Sequence, residues 1–172
     1  IELASYAEVE KVFCDEIEMN EELKVALKLI LAVCLSNEMK SDPLWLYIVG
    51  PPGGGKTLLL SCLQNNKRCH FESSLTAHNL VSGFGGAAGG RDPSIIPKLK
   101  GKTFVLKDAT EILKAPGMVQ DEIFSTLRGA YDGEVQRTFG NGVERNYLDC
   151  YFACLAGVTY EVYGSSTASV GE

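Results

Sequence analysis

Apolar residues near the start of the chain recur at helical spacing. A helix with one apolar face is predicted because apolar side chains recur every three or four positions, at Leu23, Leu27, Ile30, Leu31 and Cys34. Asn20 precedes this pattern as a candidate N-cap. Further upstream, Ser5-x-x-Glu8 has the spacing of a capping box and predicts a shorter helix. We therefore expect an N-terminal helical segment, residues 1–43, that packs on the core.

Shorter apolar runs further along the chain are typical of buried strands. These runs are Leu46–Val49, Lys102–Asp108 and Cys150–Thr159, with a weaker candidate at Arg68–Glu72. Helical patterns at 58–63 and 120–131 fall between them. Strands that alternate with helices predict an α/β fold with a central, mostly parallel sheet, in a core domain over residues 44–172. The start at Ile1 and the small, polar residues 165–172 predict a domain excised from a longer protein.

A β-hairpin is predicted between residues 133 and 147. Val135, Arg137 and Phe139 alternate with polar neighbours before Asn141-Gly142, the dipeptide that most strongly favours a short hairpin turn. The hairpin is therefore inserted directly before the last predicted strand.

A glycine-rich stretch joins the first predicted strand to the helix after it. The stretch GPPGGGKTL consists of Gly50, Pro51, Pro52, Gly53, Gly54, Gly55, Lys56, Thr57 and Leu58. A loop without bulky side chains lets several backbone N–H groups converge on one anion, and phosphate is the anion most often bound in this way. The spacing G-x-x-x-x-G-K-T in this setting predicts nucleotide binding, with Lys56 reaching the outer phosphates and the Thr57 hydroxyl coordinating Mg²⁺. The alternative is an ordinary glycine-proline turn, which would not need the flanking strand and helix.

Two polar residues end the later strands. Asp108 follows an apolar strand, and a phosphate-binding loop needs such a carboxylate because Mg²⁺ prefers hard oxygen ligands. Asp108 would bind the metal or polarise the attacking water; the alternative is that it only caps the following turn. Thr159 ends the last strand as a polar residue, at the end of the sheet where the γ-phosphate should lie.

Composition narrows the class of protein. The 172 residues are 45% hydrophobic and carry a formal net charge of −6, which fits one well-buried domain and argues against a generally basic nucleic-acid surface. The six cysteines include no C-x-x-C pair, so we expect buried, reduced thiols and a cytoplasmic location. A zinc site drawn from Cys69, His70, Cys150 and Cys154 is an alternative that their spacing does not support. No apolar run is long enough to span a membrane.

Glycine is concentrated between residues 82 and 94. Five glycines fall between positions 83 and 90, which predicts a mobile loop because glycine loses much entropy on ordering. A dinucleotide-binding fingerprint starting at Gly83 fails, since its third glycine position holds Ala88. Phe84 is expected to pack on the domain surface; the alternative is that it grips a nucleic acid.

In this order the motifs resemble those of AAA+ ATPases, in the branch with a hairpin before the sensor-one strand. That branch includes superfamily-three helicases and the ATPase domains of phage and plasmid replication proteins. GPPGGGKT is similar to their Walker A motif, TFVLKDAT to Walker B and LAGVT to the sensor-one strand, over residues 44–160. The resemblance implies a P-loop NTPase core that hydrolyses ATP with Mg²⁺. Lys56, Asp108 and Thr159 would be catalytic, and Thr57 and Asp108 would hold the metal.

The resemblance also implies partners and leaves alternatives open. It implies a homo-oligomeric ring in the full-length protein that moves on nucleic acid, with DNA as the expected partner. Lys107 stands where one of two carboxylates is usual, which implies slow hydrolysis, and Thr159 replaces the more usual asparagine. A P-loop kinase acting on a small molecule or nucleotide, or an ATP-gated interaction module with little turnover, therefore remains a competing interpretation.

The hairpin is the candidate contact with nucleic acid. Arg137 and Arg145 flank a small tip that contains Asn141, and an acidic domain needs a local positive site to hold phosphates. The alternative is an ordinary edge hairpin whose arginines keep the edge soluble.

Overall fold

The computed structural model of the protein describes residues 5–39, 42–84 and 91–160. Within these ranges the helices are α1 (Tyr6–Glu16), α2 (Glu21–Ser36), α3 (Lys56–Ser61), α4 (Ala77–Leu80), α5 (Ile96–Leu99), α6 (Thr110–Lys114) and α7 (Gly117–Tyr131). The strands are β1 (Trp45–Gly50), β2 (Cys69–Glu72), β3 (Thr103–Leu106), β4 (Glu134–Thr138), β5 (Glu144–Leu148) and β6 (Ala153–Thr159). Residues 85–90 of the predicted mobile glycine segment, and the polar residues 165–172, lie outside the described residues.

Four strands form one parallel sheet in the order β1–β6–β3–β2. Strand β6 lies inside the sheet and pairs in parallel with both β1 and β3. All four residues of β3 are buried, as expected for a parallel strand that is covered on both faces. The predicted α/β fold with a central parallel sheet is therefore confirmed, including the weak candidate strand that became β2.

Apolar side chains cover both faces of this sheet. One cluster joins Ile30 of α2 and Leu59 of α3 to Leu155 of β6. Val105 of β3 belongs to this first cluster, and its neighbour Phe104 belongs to a second cluster. The two clusters lie on opposite faces because alternate side chains of a strand point to opposite faces of the sheet. The sheet thus lies between two apolar layers, one packed on each face.

The two N-terminal helices begin where their capping residues predicted. The Asn20 side chain accepts a hydrogen bond from the Leu23 N–H at 2.8 Å, and Ser5 and Glu8 form the reciprocal capping box. Helix α2 buries Leu27, Ile30, Val33 and Ser36, whereas α1 has no buried residue. Helix α2 therefore supplies the fully buried residues of this segment, and Phe13 of α1 packs half-buried against the same cluster.

Two element boundaries differ from the prediction. Helix α7 begins at Gly117 rather than near Gln120, because Pro116 has a φ of −53° and stands directly before it. The Gln120 side chain instead donates to the carbonyls of Leu113 and Ala115 at the end of α6. Strand β6 begins at Ala153 rather than Cys150, since the preceding Asp149 has a φ of 54° and turns the chain.

The predicted hairpin is present as β4 and β5, a separate two-stranded antiparallel sheet. Its turn is longer than a two-residue Asn-Gly turn. The Phe139 carbonyl accepts from the Gly142 N–H and the Phe139 N–H donates to the Val143 carbonyl, both at 2.9 Å. Gly142 has a φ of +81°, so a glycine in the left-handed conformation closes the turn, as in a hairpin with a glycine bulge.

No helix in the described parts of the chain is both long enough and apolar enough to cross a membrane.

Candidate functional site

The glycine-rich loop connects the end of β1 to the start of α3. Strand β1 ends at Gly50 and α3 begins at Lys56, so residues 51–55 form the connection. Gly53 and Gly55 have φ values of +73° and +79°, which side chains other than glycine rarely adopt. The Gly54 N–H donates to the Pro51 carbonyl at 3.1 Å and holds the turn closed. The predicted loop thus has its backbone exposed and its curvature fixed by glycines.

The Lys56 amino group lies inside the curve of this loop. Its Nζ donates to the Gly50 carbonyl at 2.8 Å and to the Pro51 carbonyl at 2.6 Å. Thr57 and Leu58 follow in the first turn of α3 and are exposed. A cationic group held by loop carbonyls can exchange them for the oxygens of an anion without leaving the loop.

Thr159 lies beside this loop because of the sheet order. In the pairing of β1 with β6, Gly50 is opposite Thr159. The residue that ends β6 therefore stands next to the residue that begins the loop. Gly50 and Thr159 are 109 residues apart in the sequence, and the parallel pairing of β1 with β6 brings them together.

Asp108 reaches the same edge of the sheet from β3. It follows β3 by two residues and is exposed, and its Oδ1 accepts the Thr110 N–H at 2.8 Å. Asp108 therefore caps the turn that follows β3, as its alternative interpretation proposed. A metal-binding or water-polarising role remains a prediction, because one carboxylate oxygen can cap a turn while the other binds a ligand.

Thr110 connects the acidic turn to β6, and sequence reasoning missed it. The Thr159 N–H donates to the Thr110 Oγ1 at 3.1 Å, and the two threonine Oγ1 atoms are 3.3 Å apart. The Ala109 N–H also donates to the Gly157 carbonyl at 2.7 Å. The Asp-x-Thr spacing marks the turn in the sequence, but nothing local indicates that the hydroxyl contacts β6.

A cavity of about 480 Å³ opens between the loop and the N-terminal helices. One wall is the loop from Gly50 to Leu58, and the other is the junction of α1 and α2, including Ile17, Asn20 and Leu23. This volume falls within the range of small-molecule sites. We assigned α2 only a packing role from its sequence, and the structure adds that its first turn lines a cavity beside the loop.

The described residues offer Mg²⁺ few direct protein ligands at this site. No group of three or more His, Cys, Asp and Glu side chains within residues 5–39, 42–84 and 91–160 lies close enough to hold a metal ion. Mg²⁺ is usually held by one or two protein oxygens together with substrate phosphates and water. The donor set of Thr57 and Asp108 fits that chemistry.

The cysteines are less buried than the sequence suggested. Cys14 and Cys62 are exposed, Cys150 is buried, and Cys34, Cys69 and Cys154 are half-buried. The expectation of buried thiols is wrong for the first two, because α1 has no buried residue and Cys62 lies at the end of α3 away from the core.

The three hairpin residues assigned to nucleic acid all have partners within the chain. Arg137 forms an ion pair with Glu122 of α7. Arg145 donates to the Ser82 carbonyl at 3.0 Å and to the Phe84 carbonyl at 2.9 Å. Asn141 donates to the Gly83 carbonyl at 2.8 Å. The hairpin therefore holds the segment 82–84, and the assigned contact with nucleic acid stays a prediction.

The half-buried hydroxyl of Tyr147 ties the hairpin to a second segment, residues 92–94. The Tyr147 hydroxyl donates to Asp92 at 2.6 Å and lies 2.9 Å from the Ser94 Oγ. Burial, and then the hydrogen bond to Asp92, raise the pKa of Tyr147 to about 12. Burial acts to raise the pKa of Asp92, but hydrogen bonds from Ser94 and Tyr147 outweigh it and lower that pKa. The pair is thus a neutral phenol bound to a carboxylate at neutral pH.

No protein-family model matches the chain, and a search of the curated proteins finds no match to it. The structure defines the class of protein only as α/β with a four-stranded parallel sheet. What the site binds has to follow from its own residues.

Proposed function

We propose that the chain binds ATP with Mg²⁺ at the glycine-rich loop and hydrolyses it. The observation that carries this proposal is the Lys56 amino group, held inside the loop by the carbonyls of Gly50 and Pro51. Several phosphate oxygens need several convergent donors, and a curved loop of exposed N–H groups around one ammonium supplies them. The AAA+ ATPase resemblance of the three motifs supports the same function.

Each predicted residue has a role in this proposal. The loop from Gly50 to Leu58 surrounds the phosphates, and Lys56 neutralises charge on the phosphoryl group that is transferred. Thr57 and Asp108 would hold Mg²⁺, which would supply positive charge that stabilises the phosphates of a bound nucleotide. Thr159, opposite Gly50 in the sheet, contacts the γ-phosphate end of the site.

The cavity beside the loop has room for the rest of the nucleotide. Ile17 and Leu23 supply apolar surface on its wall, and Asn20 and Glu18 supply polar groups. A nucleoside has an apolar base face and polar edges, so this mixture suits it. The proposal therefore assigns the junction of α1 and α2 to the base and sugar.

We also propose, on the resemblance alone, that turnover is coupled to movement on DNA by a ring of subunits in the cytoplasm. Phe84, which is 81% exposed, and the hairpin tip at residues 140–142 are surfaces that DNA would reach. Arg137 and Arg145 would first have to leave Glu122 and the carbonyls of residues 82 and 84. Their contribution to DNA affinity is therefore expected to be small.

An ATP-gated module with little turnover is the second candidate. Asp108 already caps a turn through one oxygen, and the neighbouring Lys107 points away from the loop, with its Nζ 3.3 Å from the Gln64 Oε1. A site with one carboxylate at this position activates water less well than a site with two.

Calorimetric titration of ATP·Mg²⁺ against Lys56→Ala tests the proposal. Affinity is expected to fall roughly 10- to 100-fold, because a hydrogen bond to a charged group contributes ~1.5–3 kcal/mol. Lys107→Ala removes the same charge away from the loop and should leave the affinity unchanged. Equal affinity in both variants would contradict ATP binding at this loop.

A phosphate-release assay then separates the two candidates. Asp108→Asn is expected to reduce turnover far more than ATP affinity if the chain is an ATPase. If wild type binds ATP but releases no phosphate, with or without single-stranded DNA, the ATPase proposal is wrong and the ATP-gated module is the better-supported of these two candidates.

A further inference from the structure

A second cavity lies further along α2, away from the glycine-rich loop. It has a volume of about 480 Å³, which falls within the range of small-molecule sites. Its lining residues come from α1, α2, the segment after α3 and the starts of β2 and β3, and none of residues 50–58 is among them. The cavity is therefore separate from the proposed nucleotide site.

Aliphatic side chains form much of the lining of this cavity. They come from α1, α2 and the segment after α3, and they are Val9, Leu31, Ala32, Leu35 and Leu63. Leu35 is 63% exposed, and α1, which forms one wall, has no buried residue. Apolar side chains of two helices thus face a space that the described residues leave open. An aliphatic ligand in this space would remove their apolar surface from water.

The charged side chains of the lining are two cations and one carboxylate, Lys28, Arg68 and Glu38. The Arg68 guanidinium lies 2.6 Å from the Glu38 carboxylate, so these two charges pair with each other. The Lys28 ammonium lies 5.1 Å from the centre of the Tyr6 ring, and it forms no ion pair with a carboxylate in the described ranges. A cation on the face of an aromatic ring can still receive an anion on its other side. The cavity thus presents one unpaired positive charge, in a chain whose formal net charge is −6.

We propose that this cavity binds a small carboxylate with an unbranched aliphatic chain. The chain lies against the aliphatic lining, and the carboxylate lies at Lys28. Tyr6 is the one aromatic side chain among the lining residues, so the lining suits a flexible alkyl chain better than a flat ring system. The bound ligand contacts α1 and α2 together and holds them against each other. The inference does not depend on the proposed ATPase, because the cavity shares no residue with the glycine-rich loop.

Calorimetric titration with octanoate and with octanol tests the role of Lys28 on the folded chain. Octanoate is expected to bind wild type at a single site, about two- to fivefold more tightly than octanol, because an exposed ion pair contributes an effect of this size. Lys28→Gln should lose this preference, since no charge is left to receive the carboxylate. Lys24→Gln is the control, because Lys24 lies one turn earlier in α2, pairs with Glu21 and does not line the cavity. It should keep the preference. Equal affinity of wild type for the two ligands, or no saturable binding of octanoate, would overturn the proposal.

Two substitutions on α2 then test the position of the ligand. Leu35→Asp places a carboxylate in the lining and should weaken octanoate binding at least about tenfold, by repulsion and by loss of apolar contact. Leu29→Asp makes the same change at a position that does not line the cavity and should bind as wild type does. Both leucines are exposed, so both variants should fold. Saturating octanoate should also slow hydrogen exchange in a wild-type peptide that spans α1. If the two variants bind octanoate equally, or if exchange in α1 does not change, the ligand lies elsewhere and the proposal is wrong.

Discussion

Thr110, the last residue of the stretch TFVLKDAT, holds the candidate site together although its sequence pattern assigned it no role. Its N–H binds Asp108 and its hydroxyl binds the backbone and hydroxyl of Thr159, so one side chain joins the turn after β3 to the end of β6. Thr110 is 4% exposed, and its hydrogen bonds go to Asp108 and Thr159 and not to the glycine-rich loop. We therefore infer that it is a positioning residue.

Replacing Thr110 with valine is expected to slow ATP turnover while leaving ATP affinity nearly unchanged. Valine keeps the shape but leaves the Thr159 N–H without its partner, which costs about 1–3 kcal/mol of stability. Steady-state kinetics would show a fall in kcat with little change in KM, and thermal unfolding would show a lower Tm.

Thr110→Ser is the matched control because it keeps the hydroxyl. Its turnover should stay close to that of wild type. If Thr110→Ser slows turnover as much as Thr110→Val although it keeps the hydroxyl, the hydrogen bond to Thr159 does not account for the effect of the valine substitution.

At the scale of elements, the hairpin and the start of the glycine segment form one unit. Arg145 and Asn141 bind the carbonyls of residues 82–84 at one side, and Tyr147 binds Asp92 and Ser94 at the other. Gly83 packs so closely on Phe139 that an added Cβ would come within 2.6 Å of the ring. The expectation that Phe84 packs on the surface is wrong, because its side chain is 81% exposed.

Arg145→Ala is expected to release the segment 82–84 from the hairpin. The Arg145 side chain is only 15% exposed and makes two hydrogen bonds to this segment, so its loss should cost roughly 1.5–3 kcal/mol locally. Hydrogen exchange of a peptide spanning residues 79–84 should become about tenfold faster or more.

Arg128→Ala removes an arginine of equal charge whose hydrogen bond, among the described residues, is to the Phe124 carbonyl of its own helix at 3.4 Å. Exchange of the same peptide should be unchanged in this variant. Faster exchange in both variants would mean that net charge, and not the Arg145 contacts, protects the segment.

At the scale of the whole molecule, the two apolar layers share β6. Leu155 faces one layer and its neighbour Ala156 faces the other, and the single tryptophan, Trp45, packs on Phe152 and Tyr131 in the second layer. Trp45 also donates to the Phe152 carbonyl at 2.8 Å. Trp45 fluorescence therefore reports on the layer that does not contain Leu155.

Leu155→Ala is expected to lower the free energy of unfolding by ~2–5 kcal/mol, because it leaves a cavity at a fully buried position. Denaturant titrations followed by Trp45 fluorescence and by circular dichroism should shift together, since both layers rest on one strand. Leu148→Ala, at a position 59% exposed, should change stability by no more than ~0.5 kcal/mol. Separate transitions in Leu155→Ala would contradict a single cooperative unit.

Local sequence signals determined much of this architecture. The caps at Ser5 and Asn20, the apolar strands and the hairpin are decided by residues within a few positions of each other, and the glycine-rich loop needs only its own backbone freedom. These features could therefore be predicted from the sequence alone. The turn at Asn141-Gly142 differed in detail because the hairpin closes on Phe139 and Val143 with Gly142 alone in the left-handed region.

Tertiary structure alone decided which of these pieces meet. Insertion of β6 between β1 and β3 puts Thr159 opposite Gly50, and the contact of Thr110 with Thr159 follows from it. The same long-range packing places the junction of α1 and α2 across from the loop, and it brings Cys34 and Cys69 to the lining of one cavity. The sequence specifies each strand by its own pattern, but several strand orders satisfy the same patterns. The order is selected by the burial of both sheet faces at once, which no local window contains.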